Sequence, residues 1–103
     1  MAQSSVTVSP EVVRTVVRNT VLAMPSVRGL VGFGRRFSGR GSSGVDVQIV
    51  DGVVRVSLQI VAAADAALLE LGGQIQNEVV DVVEEIVGMK VASVDVLFED
   101  VKA

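Results

Sequence analysis

The sequence predicts a single small α+β domain in which two helices cover one face of a three- or four-stranded sheet. Three observations predict it: a proline-led amphipathic segment near the N-terminus, a valine-rich alternating stretch interrupted by Asp51-Gly52, and a longer segment of helical periodicity before a last alternating stretch. The predicted element order is α-β-β-β-α-β. The chain has 103 residues, the size of one domain, so we assign residues 9–101 to that domain and residues 1–8 to a flexible N-terminus.

The first helix is predicted over about residues 10–24. Ser9 offers a side-chain oxygen for the N-cap, Pro10 stands at the first helical position, and Glu11 places a negative charge near the positive end of the helix dipole. Pro25 disfavours helical backbone at the residue before it, which ends the helix. Valines at helical spacing give this segment one apolar face.

Residues 27–33 are predicted to form a short strand, in which Gly29 and Gly32 indicate a bulge or a close backbone approach. The following residues 34–44 are glycine, serine and arginine around a lone Phe37. This composition is typical of a loop without regular structure, and we interpret the segment as flexible.

Asp51-Gly52 is the strongest local signal in the sequence, because a type I′ turn needs positive φ at both central positions and this dipeptide tolerates it. A two-residue turn fixes the register of the hairpin, which then has one apolar and one polar face. The apolar pairs are Ile49 with Val54, Val47 with Val56 and Val45 with Leu58, the polar pairs are Gln48 with Arg55 and Asp46 with Ser57, and Val50 faces Val53 at the turn.

Apolar residues recur at spacings of three or four from about residue 66 to residue 87, which predicts a long second helix. They are Leu68, Leu71, Ile75, Val79, Val82 and Ile86. Gly88 stands at the position of a C′ glycine, and Gly72-Gly73 indicates a kink or close packing. Residues 94–99 then alternate as a last strand, expected to lie parallel to the third because the helix is a crossover. Residues 101–103 are expected to fray.

The sequence contains no Cys, His, Trp or Tyr, which excludes thiol nucleophiles, imidazole bases, disulfides and the usual ligands of structural zinc. We therefore predict no enzymatic activity, no metal site and no cofactor. No apolar run approaches the roughly 18 residues that a transmembrane helix needs, and residues 1–8 lack the basic and apolar regions of a signal peptide. A cytoplasmic location is expected.

Charge is spread unevenly along the chain. Residues 1–64 carry seven arginines against three carboxylates, a balance of +4, and residues 65–103 carry two lysines against nine carboxylates, a balance of −7. Such a dipolar distribution suits head-to-tail self-association or an asymmetric partner. The alternative is that the two halves neutralise each other within the fold.

The second helix offers one set of candidate contact residues. Its apolar arc is widened to nearly half the circumference by Leu69, Val80, Val83 and Val87. A surface of this width predicts an oligomer or partner interface, unless the core wraps the helix more deeply.

The arginine-glycine loop offers the second set, which consists of Arg35, Arg36, Phe37 and Arg40. Guanidinium groups suit phosphate, so the alternative function is a small anion- or nucleic-acid-binding module, unless the loop is simply solvated. Residues 39–44 also match G-x-G-x-x-G, but they lead into a strand and not a helix, so no dinucleotide site is predicted. The element order faintly resembles that of KH domains, but the glycine pair Gly72-Gly73 is not the basic G-x-x-G loop that clamps a nucleic-acid backbone in that fold.

Several short segments resemble, in order, those of the alkaline shock protein family. VSPEVV at residues 8–13 resembles ISPEVI, VRGLVG at residues 27–32 resembles VxGVxG, VEEIVGMKV at residues 83–91 resembles VEEMTGLxV, and VDV at residues 94–96 resembles VNV. The resemblance covers about residues 8–101. Gly72-Gly73 and the arginine-rich loop depart from the family pattern.

The resemblance implies an envelope stress response protein of Gram-positive bacteria without known catalysis. It further implies a protein that self-associates and is held at the inner face of the membrane by a separate membrane-anchored partner, without inserting into the membrane itself. Nucleic acid is not expected as a partner.

Overall fold

The computed structural model describes residues 4–32 and 44–103. Its elements follow the predicted order α-β-β-β-α-β, and the predicted α+β class is confirmed. They are α1 (Pro10–Leu22), β1 (Val27–Leu30), β2 (Val45–Val50), β3 (Val53–Ala63), α2 (Leu68–Val82) with a π-turn (Val83–Val87) at its end, and β4 (Lys90–Lys102).

β3 pairs with each of the other three strands. Along one edge, β4 runs parallel to it from Val53 opposite Lys90 to Ala63 opposite Lys102. Along the other edge, the antiparallel strands β2 and β1 lie one after the other, opposite residues 53–58 and 60–62. The four-stranded sheet is therefore mixed, and the predicted parallel pairing of the last strand with the third is confirmed.

The β2–β3 hairpin has the register that its turn predicts. Asp51 and Gly52 adopt φ angles of 52° and 76°, and the pairs run from Val50 opposite Val53 to Val45 opposite Leu58. The predicted irregularity of β1 is also present, because its register with β3 shifts between Val27 and Gly29.

Both helices cover the same face of the sheet and bury regularly spaced side chains there. Alternate residues of β3 form the opposite wall of the core, and α1 lies mainly over β2 whereas α2 lies over β4. The core consists chiefly of Val13, Val17 and Val21 from α1, Leu71, Ile75 and Val79 from α2, and Val54, Val56, Leu58, Ile60 and Ala62 from β3.

The helix boundaries differ slightly from the predicted ones. α1 ends at Leu22 rather than Met24, because the last turn tightens and the Met24 amide donates to the Val21 carbonyl at 3.1 Å. α2 begins at Leu68 rather than at residue 66, since the preceding residues form the turn that leaves β3.

The strand ends differ more. β1 ends at Leu30, before Val31 and Gly32, so it is shorter than predicted. The expectation that the C-terminus frays is wrong for Val101 and Lys102, which pair with Ala62 and Ala63. The Lys102 carbonyl also accepts a hydrogen bond of 2.8 Å from the Ala64 amide. The long β3 supplies this extra pairing, which the local alternation around residues 94–99 does not indicate.

The end of α2 widens into a π-turn, in which the Gly88 amide donates to the Val83 carbonyl at 2.9 Å, five residues back. Gly88 has the predicted left-handed conformation, with φ at 81°. Val83, which keeps a regular α-helical position before the wider turn, is 0% exposed, whereas Ile86 within that turn is 73% exposed. The prediction that Ile86 continues the core face is therefore wrong, because it assumed an unbroken period of 3.6 residues.

The two isoleucines of this helical segment give a direct test of the altered face. Ile75→Ala should lower the free energy of unfolding by about 2–5 kcal/mol, because it leaves a cavity in the core. Ile86→Ala should change it by less than about 0.5 kcal/mol, because the side chain is largely exposed. Urea denaturation of both variants checks this, and equal losses would mean that Ile86 is buried after all.

Gly73 within α2 and Gly88 directly after the π-turn give a second matched pair. Gly88→Ala should lower the free energy of unfolding by about 1 kcal/mol, because an L side chain is strained at this positive φ. Gly73→Ala should raise it by about 0.5–1 kcal/mol, because Gly73 lies inside the helix and a Cβ there meets nothing within 4 Å. Thermal unfolding should therefore shift in opposite directions, and a shift in the same direction would contradict the assigned conformations.

Candidate partner-binding surface

The described residues contain no buried polar or charged side chain. Within the same residues, no group of three or more His, Cys, Asp or Glu side chains is arranged to hold a metal ion. No helix among them is both long and apolar enough to cross a membrane. The candidate functional features are therefore surfaces that a partner could contact, and α2 forms part of two of them.

The first surface is the outer side of α2 where it meets β4, which we call the α2/β4 side. Leu69 and Val80 lie on one stripe of the helix, at a spacing that returns to the same face, and Val87 follows in the π-turn. Leu69 is 95% exposed, whereas Val80 and Val87 are half-buried against the core. The stripe also contains Gln76, whose Nε2 donates to the Val94 carbonyl of β4 at 3.0 Å.

Other side-chain bonds and two bulges protect the backbone of β4. The Val91 amide donates to Glu84 Oε2 at 3.2 Å, and the Val101 amide donates to Asp100 Oδ1 at 2.8 Å. The register with β3 shifts near both ends of the strand, where β4 has one extra residue each time. Bulges and charged side chains make a strand edge a poor template for further pairing. The apolar stripe of α2 is therefore the better candidate for contact on this side.

The second surface is a groove of about 380 Å³ between α1 and the end of α2, which we call the acidic groove. Its lining residues are Thr20, Glu78, Asp81, Val82, Glu85 and Ile86. The three carboxylates follow at intervals of three and four residues, so they line one wall of the helix. Among the described residues the one ion pair is between Arg14 and Glu11 within α1, so none of these three acids has a described cation within 4 Å.

A third depression, of about 520 Å³, lies on the sheet face that carries no helix, between the end of β1 and the end of β4. Val31, Gln59 and Val61 contribute to its lining together with Asp100 and Lys102. Because carboxylates and the Lys102 ammonium group line the same depression, it has no net preference for a ligand of either charge.

The predicted interface residues separate in the structure. Leu69 and Val80 share the α2/β4 side, and Val87 is half-buried against the core in the π-turn. Val83 is fully buried in the core and offers no surface to a partner. Arg35, Arg36, Phe37 and Arg40 lie outside the described residues, as does the G-x-G-x-x-G segment apart from Gly44, so the anion- or nucleic-acid-binding alternative stays a prediction. The acidic groove was not predicted, although the spacing of its acids is visible in the sequence.

The fold and its surfaces define a small α+β domain in which two helices lie on one face of a mixed four-stranded sheet. A family model of the alkaline shock proteins, described as a family with cell envelope-related function, matches residues 1–103. The chain belongs to the alkaline shock protein family, and the resemblance seen in its sequence is thereby confirmed. No curated protein matches the sequence.

Solved structures with a similar fold come from another protein, the MamM CTD. The zinc form of its D249N variant is 16% identical with a TM-score of 0.57, over 90% of this chain and 87% of that one. The manganese form of its E289D variant is also 16% identical with a TM-score of 0.55, over 87% of this chain and 96% of that one. At this identity the likeness concerns the fold alone.

The acidic groove has a consequence for stability. Like charges three or four residues apart on a helix repel each other, so the change of Glu78→Gln, Asp81→Asn and Glu85→Gln together, the groove variant, should raise the free energy of unfolding by several tenths of a kcal/mol. The gain should shrink in high salt, which screens the repulsion. Thermal unfolding at two salt concentrations checks this, and a loss of stability would show that these acids have stabilising partners.

Proposed function

We propose that this protein is a non-enzymatic interaction module of the cell envelope stress response. It associates with copies of itself and binds a membrane-anchored partner, through which it is held at the inner face of the membrane. The family supports the envelope-related part of this proposal. The self-association part rests on the α2/β4 side.

The observation that carries the proposal is the exposure of Leu69 on the same side of α2 as apolar side chains that the core buries only in part. Single exposed leucines are common on protein surfaces, but Leu69 shares its stripe with the half-buried Val80. Val101, which is 45% exposed, lies toward the same end, because α2 runs antiparallel to β4 and Gly72 lies beside the Phe98 ring. A second copy that covers this side would remove the apolar surface of Leu69, Val80 and Val101 from water.

The protected edge of β4 supports side-chain packing as the means of contact. Gln76 and Glu84 hold backbone groups of the strand, so an added strand would first have to displace them. Packing of one α2 stripe on another leaves these bonds intact and needs no change within the domain.

Sedimentation across a concentration series tests the proposal. The sedimentation coefficient of the wild type should rise with concentration, and Leu69→Lys should abolish the rise, because a buried lysine without a partner opposes association. Val12→Lys on α1 is the matched control, since Val12 is also an exposed apolar side chain, and it should behave as the wild type. Equal association of all three proteins would refute the role of the α2/β4 side.

A further inference from the structure

The acidic groove contains an apolar side chain that the backbone turns outward. Ile86 would continue the core face of a regular helix, but the π-turn leaves it 73% exposed at the groove. Val82 beside it is half-buried. π-turns are rare, and they occur frequently at functional sites. The groove therefore offers an apolar anchor point that no described part of the chain covers.

The walls of the groove determine the charge of its occupant. Glu78, Asp81 and Glu85 line the α2 wall, whereas Thr20, which α1 contributes, is uncharged. Arg14 of α1 is engaged elsewhere, because its guanidinium bonds Glu11 and the Val45 carbonyl. An occupant with lysine or arginine on either side of an apolar residue would match both features of the groove.

We propose that the acidic groove binds a Lys/Arg-rich segment that carries an apolar side chain, supplied by the cytoplasmic flank of a partner's transmembrane helix. Such flanks are enriched in Lys and Arg by the positive-inside rule. This inference rests on the proposed function and gives the chemistry of the membrane-anchored partner.

The charge of the domain supports a protein segment over the lipid surface as the occupant. The chain has a net charge of −3, and the inner leaflet is itself negative, so the two repel each other. A basic segment at the membrane surface lies between these negative surfaces and attracts both. Binding of such a segment in the groove would therefore hold the domain at the membrane, whereas direct contact with anionic lipid is opposed by charge repulsion.

Fluorescence anisotropy with a short labelled peptide of arginine, lysine and leucine tests the inference. The wild type should bind the peptide, and the groove variant should bind about tenfold more weakly, as expected for the loss of three exposed ion pairs. Ile86→Ser should weaken binding by a similar factor, because it removes the apolar anchor. Undiminished binding by Ile86→Ser would overturn the assignment of this groove.

A matched control separates the groove from general charge attraction. Glu70→Gln, Asp95→Asn and Glu99→Gln together remove the same charge from exposed positions outside the groove, and this control variant should bind the peptide within about threefold of the wild type. Equal weakening of both triple variants would overturn the proposal. In the same samples the groove variant should self-associate as the wild type does, so failure of peptide binding is distinguishable from failure of the proposed self-association.

Vesicles distinguish a protein segment from lipid as the occupant. The same peptide, bearing a palmitoyl chain, is placed on phosphatidylglycerol vesicles, and the wild type should co-sediment with these and not with bare vesicles. The groove variant should remain in the supernatant in both cases. Co-sedimentation of the wild type with bare vesicles to the same extent would assign the contact to lipid and overturn the proposal.

Discussion

The pairing of β3 on both of its edges is the constraint on which the rest of the structure depends. Its parallel partner β4 cannot be reached by a tight turn, so the chain must cross over one face of the sheet, and α2 is that crossover. Because β2 and β1 occupy the other edge, α1 covers the remaining half of the same face. Both helices thus lie on one face, and the opposite face carries none.

α2 consequently has three neighbours, which are the inner face of the sheet, the edge strand β4 and the helix α1. It presents a different kind of side chain to each of them. Its apolar positions face the sheet, Gln76 and Glu84 bond the backbone of β4, and Glu78 and Asp81 face the groove beside α1. The apolar stripe that begins at Leu69 lies on the β4 side of the helix, away from the groove. Contacts at the two surfaces do not exclude each other, so one copy has room for both a second copy and a separate partner.

The distribution of charge follows the same arrangement. The sequence leaves open whether its basic and acidic halves neutralise each other, but the one ion pair among the described residues joins Arg14 to Glu11 within a single helix. The acids of the α2 wall have no such partner there. Their mutual repulsion is expected to oppose folding slightly, so these acids do not contribute to the stability of the domain.

Local signals determined much of this protein from the sequence alone. Asp51-Gly52 fixed the hairpin register, because only a two-residue turn with positive φ satisfies both strands, and Gly88 indicated where the second helix ends. Helical spacing also predicts that Leu69 and Val80 widen the apolar arc of the second helix, and their role in contact stays a prediction. These features depend on backbone conformation and on periodicity, which neighbouring residues set.

Tertiary structure alone decided three features, namely the length of β4, the exposure of Ile86 and the presence of the acidic groove. β4 extends to Lys102 because β3 offers pairing that far, and a strand cannot show in its own sequence how long its partner is. Ile86 is exposed because the last turn of α2 widens after Val83, which shifts the helical period that sequence analysis takes as constant. The groove exists because α1 lies beside this turn, and two segments about sixty residues apart meet only once the sheet has brought their helices to the same face.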